Sequence, residues 1–323
     1  MPGFAIHYLF GERALPHLSD QRIRNRICRH IHSFCLGLQG PDVFYYSLAA
    51  YLPSSGNIGS TIHSRSTRDF LTALMESRSG LGSIEDRHIA DAYICGFIGH
   101  YTLDTFCHPY VFYRTKHLQH EQAGQGIRDF SRHVFLETAM DQAAIRHFRN
   151  IRPTDFAPAD TIALSRREQN VVSLLLQRAI ARVYPDQAIP RWQARFAIHS
   201  MHLESALMHD PKGRKKALVR GIEQKILGQA LLSPMIPSNT LSIYRDPCNL
   251  AHKPWHNPWN PDQVSRDSVY DLMNRADPVY CRRMQLYFRA LTPTSSPQTD
   301  TLARERFLED LGDCSYNSGL PLK

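Results

Sequence analysis

The chain has 323 residues, room for one large domain or two small ones. Apolar residues at 42% and charged residues at 21% describe a chain that buries a sizeable core, which excludes disorder throughout. Lys and Arg number 38 against 30 Asp and Glu, a net charge of +8 that is compatible with a phosphate-bearing substrate or an anionic surface but, spread evenly, gives only solubility.

Helical periodicity dominates from one end of the chain to the other. Turns are marked at Gly40-Pro41 and over 53–56. Apolar residues at three- and four-residue spacing predict a helix over 84–106, with Ser83 placed to cap it. A second is predicted over 127–148, after the break at 123–126. Others follow over 169–183, 192–208 and 217–232. The Pro/Trp/Asn run at 247–261 reads as a loop, with helices over 261–275 and 277–291 beyond it. Residues 292–301, rich in Thr, Ser and Pro, read as a link to a short helix over 302–311. Strand alternation and Asn-Gly hairpin turns are nearly absent, so the fold class is all-α. The simplest division is one helical domain over 1–291 and a C-terminal linker and short helix over 292–323.

No window approaches 18 consecutive apolar residues; the best, 89–106, is broken by Asp91, His100 and Asp104, so no transmembrane segment is expected. The first residues carry no basic stretch followed by an unbroken apolar one, and no secretory signal is evident. Seven cysteines at irregular spacing, without a CxxC pair, read as reduced thiols, and a cytoplasmic location is expected. One dense basic run, Lys212, Arg214, Lys215 and Lys216, is a solvated loop or helix start, or else a phosphate or lipid-headgroup contact.

Histidine is the count that stands out, at 17. Neutral imidazole is both the commonest metal ligand and a general base near pH 7. His100, Asp104 and His108 recur every fourth residue, so on a helix they share one face within about 80°. The rise between the two histidines is about 12 Å, too far for one metal with bonds of about 2 Å. The spacing therefore favours a divided, polynuclear site over a mononuclear one. The same helix is apolar nearly all round, so this polar face is buried and needs partners, either metal or a hydrogen-bond network. Pro109 is expected to end the helix at His108 and free that ring to turn. His133 and Glu137 repeat the one-turn chelating step. Asp42, after the Gly40-Pro41 turn, is by itself a helix cap or a ligand. His63 and His7, taken alone, read as packed or solvated histidines. His209-Asp210 raises a weaker alternative, an HD-type phosphohydrolase.

In combination these segments resemble the zinc-dependent phospholipase C and P1-type nuclease superfamily, and most of all its bacterial phospholipase C-like branch. The stretches that carry the likeness are MPGFAIHYLFG, GLQGPDVFYY, GHYTLDTFCHPY and HVFLE, with NLAHKPWHNPW and SYNSGLP further on. The resemblance implies a multi-helix domain holding two or three zinc ions. One would be held by Asp42, His63, His100 and Asp104, a second by His108, His133 and Glu137, and a third by the N-terminal amine, His7 and Asp104, with Asp104 as bridge. It implies a phosphoric diester hydrolase acting on phospholipid or another phosphodiester, with Asp42 as ligand, general base or both, and transient contact with a membrane surface. Two rivals remain. One is a P1-type single-strand nuclease stacking bases on Tyr45, Tyr46, Tyr51, Trp255 or Trp259. The other is a non-catalytic zinc-binding helical protein.

Overall fold

A helix that is apolar on every side has to be central, because no face of it tolerates water. In a computed structural model of the protein, residues 84–115 form one such helix, α6 (Ile84–Thr115), and the other elements pack around it. The structure describes residues 3–46, 57–115, 126–226, 233, 236–239 and 244–322, with backbone alone for 126–131. Before α6 come α1 (Phe4–Ala14), α2 (Gln21–Arg29), α3 (Ile31–Gly37), a 3₁₀ segment (Gly40–Tyr46), α4 (Ile58–Ser64) and α5 (Thr67–Ser79). After it come α7 (Gly126–Arg149), α8 (Pro158–Thr161), α9 (Arg166–Val183), α10 (Arg191–Met208) and α11 (Arg214–Ile226). A hairpin of β1 (Trp255–Asn257) and β2 (Asn260–Ser265) precedes α12 (Val269–Leu291) and α13 (Pro297–Leu311). Among the described residues the fold is all-α apart from that hairpin.

Local chemistry explains where the helices start. Ser83 caps α6, its hydroxyl accepting from the Asp86 amide at 3.4 Å. Ser165 with Glu168 and Ser268 with Asp271 form reciprocal capping boxes on α9 and α12. The close crossing of α3 on α6 depends on two glycines. A Cβ on Gly37 would stand 2.1 Å from Tyr93 O, and one on Gly96 2.1 Å from Phe34 O. Two backbones therefore touch where most helix pairs hold side chains between them.

Two expectations are corrected. Helix α6 does not end at His108 but runs through Pro109 to Thr115. Proline costs one helical hydrogen bond and strains the residue before it. Here Tyr110, Val111 and Phe112 are buried beyond it, and that packing outweighs the break. Gly319 packs closely against the helix there, where a Cβ would meet Thr105 O at 2.3 Å and Pro109 Cγ at 3.7 Å. The second correction concerns 261–275, where a single helix is expected. Residues 260–265 instead pair antiparallel with β1, Trp255 opposite Ser265 and His256 opposite Val264, and α12 begins only at Val269. Helix α12 then continues through Pro278 without interruption.

The C-terminal residues share the core. Phe307, Leu311 and Tyr316 are buried in the same cluster as α1 and α6, and Arg283 of α12 donates to Asp310 O at 3.1 Å and Leu311 O at 3.0 Å.

Candidate metal centre

Four elements converge on one side of α6. Helix α1 brings His7, the 3₁₀ segment brings Asp42, α4 brings His63 and α7 brings His133 and Glu137; α6 supplies His100, Asp104 and His108. All eight residues marked out in the sequence lie together. Seven are buried and His133 is partly so.

Asp104 is the hub. Its Oδ1 stands 3.1 Å from His7 Nε2 and 3.5 Å from His108 Nε2; its Oδ2 stands 3.0 Å from His100 Nε2 and 3.7 Å from His63 Nε2. His63 Nε2 is also 3.3 Å from Asp42 Oδ1 and 3.4 Å from His100 Nε2. On the far side, Glu137 Oε1 lies 2.9 Å from His133 Nε2 and 3.6 Å from His108 Nε2. Three groups have ligand atoms mutually within 4.8 Å: His7, Asp42 and His100; His63, His100 and Asp104; His108, His133 and Glu137. His100 and His108 thus fall into different groups, as the helix rise requires. His7 also stacks on the His100 ring, centroids 4.3 Å apart.

The other ring nitrogens decide what this cluster can hold. His63 donates from Nδ1 to Gly59 O at 2.7 Å, His100 to Leu38 O at 3.1 Å and His108 to Tyr316 O at 3.1 Å. A carbonyl only accepts, so each Nδ1 carries the hydrogen and each neutral ring presents an Nε2 lone pair to the cluster. Those lone pairs face carboxylate oxygens and, between His63 and His100, each other. Where these rings are neutral, acceptor faces acceptor in a buried space, an arrangement that a bound cation relieves. Both oxygens of Asp42 are buried without a hydrogen-bond donor, so Asp42 is not a helix cap. Two ligands each about 2.0–2.1 Å from a tetrahedral zinc ion stand roughly 3.3 Å apart, the spacing seen here. The residues present therefore fit zinc, and the backbone carbonyls that fix the rings are the outer support metal-binding histidines need.

Without metal, the same proximity moves protons. Burial alone would lower the His108 pKa, but Asp104 and Glu137 outweigh it and hold the ring up to about 9. Burial also opposes ionisation of Asp104, yet His100, His108 and His7 keep its carboxyl well below the usual range. For His100 burial prevails and the pKa falls despite Asp104.

Three supporting features were not found from the sequence. Asp141, one turn beyond Glu137 on α7, accepts from the Ala5 and Ile6 amides at 3.1 and 2.9 Å and so docks the start of α1 onto α7. Its burial raises its pKa to about 7 against the pull of those amides. Tyr316 closes the wall, its ring centroid 5.0 Å from that of His63 and its amide donating to His63 O at 3.1 Å. Gly40, with φ of +52°, lies against the His100 ring, where a Cβ would be 2.4 Å from Cδ2. Asp141 could have been suspected from its i+4 spacing to Glu137. Tyr316 gives no local signal.

Other expectations resolve differently. The N-terminal amine and Tyr51 lie outside the described residues. Trp255 is buried and donates to Asp267 O at 3.0 Å, so it is a packing residue. Trp259 is partly exposed and sits on Phe112, which in turn contacts His133. His209 bonds Thr154 O at 2.9 Å, and Asp210 accepts from the Arg214 and Lys216 amides at the start of α11, so that pair forms no hydrolase motif. The basic run lies at and just before the start of α11.

A family model described as zinc-dependent phospholipase C matches residues 6–188, more than half of the chain. The chain belongs to the zinc-dependent phospholipase C family. No curated protein and no solved structure matches it. Family membership and the clustered His, Asp and Glu side chains together support a zinc-dependent phosphodiesterase. The family's substrate class is phospholipid, and among the described residues no helix is long and apolar enough to cross a membrane.

Proposed function

We propose that this member of the zinc-dependent phospholipase C family hydrolyses phospholipid on the diacylglycerol side of phosphate, using two or three zinc ions held by His7, Asp42, His63, His100, Asp104, His108, His133 and Glu137. The observation that carries it is the set of fixed Nε2 lone pairs facing buried carboxylates around Asp104. Zinc bound there would supply Lewis acidity for the phosphoryl oxygens and a water of lowered pKa. Asp104 bridges the two halves of the cluster. Asp42, with neither oxygen engaged by a hydrogen-bond donor, serves as ligand and as acceptor for the proton of the attacking water. Water adds to phosphorus, the bond to the glyceryl oxygen breaks, and that oxygen leaves with a proton.

The group His108, His133 and Glu137 offers three protein ligands, which supports catalysis over a purely structural role because a zinc held by three residues would have a coordination position left for water. All seven cysteines are free thiols, which supports the reading of a reducing, cytoplasmic compartment. The deciding experiment compares the zinc-reconstituted protein on a phosphatidylcholine and on single-stranded DNA. Release of diacylglycerol and phosphocholine is expected. Faster release of nucleotides, or turnover of neither, overturns the reading.

A further inference from the structure

Helix α11 is built inside out. Its buried residue is an acid, Glu223, which accepts from the Ser233 amide at 3.2 Å. Its large apolar residues face water: Leu218 is 66% exposed, Ile222 49% and Ile226 74%. At 100° per residue these three share a stripe about 80° wide, and Arg214 and Lys225 fall within about 40° of Leu218 on the same wheel. Helix α10, one element earlier, buries Ala194, Ala197, Ile198 and Met201 on one side but also exposes apolar residues on the other. Trp192, Leu203 and Leu207 are 69%, 48% and 61% exposed and share one side of that helix. Lys215 joins the two, its ammonium donating to Leu207 O at 3.2 Å and His209 O at 2.9 Å across the α10–α11 corner.

Neither stripe carries an acidic residue. A second copy of the chain seated there would press like charges together, whereas a negatively charged apolar boundary matches both properties. Basic residues flanking an exposed apolar helical stripe are what lets a helix lie in the headgroup layer of a bilayer. The inward side of α10 leads to the metal helices. Ser205, Met208 and His209 share the lining of a cavity of about 80 Å³ with Phe4 and Ala5 of α1 and Asp141 of α7.

We propose that the outward faces of α10 and α11 form the docking surface of this protein for an anionic phospholipid bilayer. The purpose of that surface rests on the phospholipid reading above, but its existence is tested separately. The zinc-loaded full chain is sedimented with vesicles of phosphatidylcholine alone and of equimolar phosphatidylcholine and phosphatidylserine. Retention on the mixed vesicles is expected, weakening as salt rises. The double variant Leu218→Glu/Ile222→Glu should bind more than about tenfold more weakly. Arg214→Glu and Lys225→Glu should each lose roughly fivefold or more, the effect of one basic residue near a charged surface. All three should keep the wild-type melting temperature and the wild-type rate on a short-chain phosphodiester dissolved as monomers. Wild-type retention by these variants, or no retention of the wild type, overturns the proposal. So does a concentration-dependent dimer that the glutamate variants abolish. Retention without hydrolysis of any phospholipid upholds the surface and overturns the phospholipase reading instead.

Discussion

One carboxylate, Asp104, faces four imidazoles, the donor set a metal centre needs. With Nδ1 of His63, His100 and His108 each committed to a backbone carbonyl, each ring has its Nε2 left to ligate a cation in the cluster. Asp104→Ala or His100→Ala should therefore lose bound zinc and turnover together; loss of neither would refute their place in the centre. Asp42→Asn should lower turnover by at least about a hundredfold, the lower range for removing a general base. His108 gives the pH dependence. Metal-free, its folded pKa of about 9 lies above the 6.5 of an unperturbed histidine. The raised value stabilises the folded state fully below pH 6.5, and that stabilisation is lost as pH rises through about 9. Zinc has to displace the same proton. Calorimetry in buffers of different ionisation enthalpy, near about pH 7.5, should record release of roughly one proton or more per chain on zinc loading. Zinc uptake without proton release would contradict this.

At the scale of elements, α6 carries three of the eight residues and α7 two, so the angle at which neighbours cross α6 sets the geometry of the centre. Gly96→Ala should force α3 away from α6 and cost about 1–3 kcal/mol in chemical denaturation, as overpacking does. Much of this level is legible in the sequence, because helices obey a local period: Ser83 marks the start of α6 and the four-residue recurrence of His100, Asp104 and His108 marks its polar face. Other parts are set by contacts distant in the chain. Pro109 carries a local stop signal that burial of Tyr110 and Phe112 overrides. The hairpin over 255–265 is short and irregular, with a register shift between His256 and Asn257, and has no alternation to read. Tyr316 reaches His63 and His108 across more than two hundred residues of sequence, which no periodicity reports. Asp42, His63 and His7 are each unremarkable in their own segments, and it is the family resemblance, not spacing, that marks them.

For the whole molecule, the centre ties chain start, middle and end together: α1, the 3₁₀ segment, α4, α6, α7 and the residues around Tyr316 all meet at it. Zinc should therefore stabilise the fold as a ligand that binds only the native state. Chelation should lower the melting temperature by at least about 5 °C, the shift expected for a few kcal/mol in a chain of this size. An unchanged melting curve would mean that the centre holds no tightly bound ion. The most direct measurement is anomalous diffraction at the zinc edge from crystals of the zinc-loaded protein. Two or more peaks are expected, one among His63, His100 and Asp104 and another among His108, His133 and Glu137. A single peak, or none at these residues, would contradict a polynuclear zinc centre.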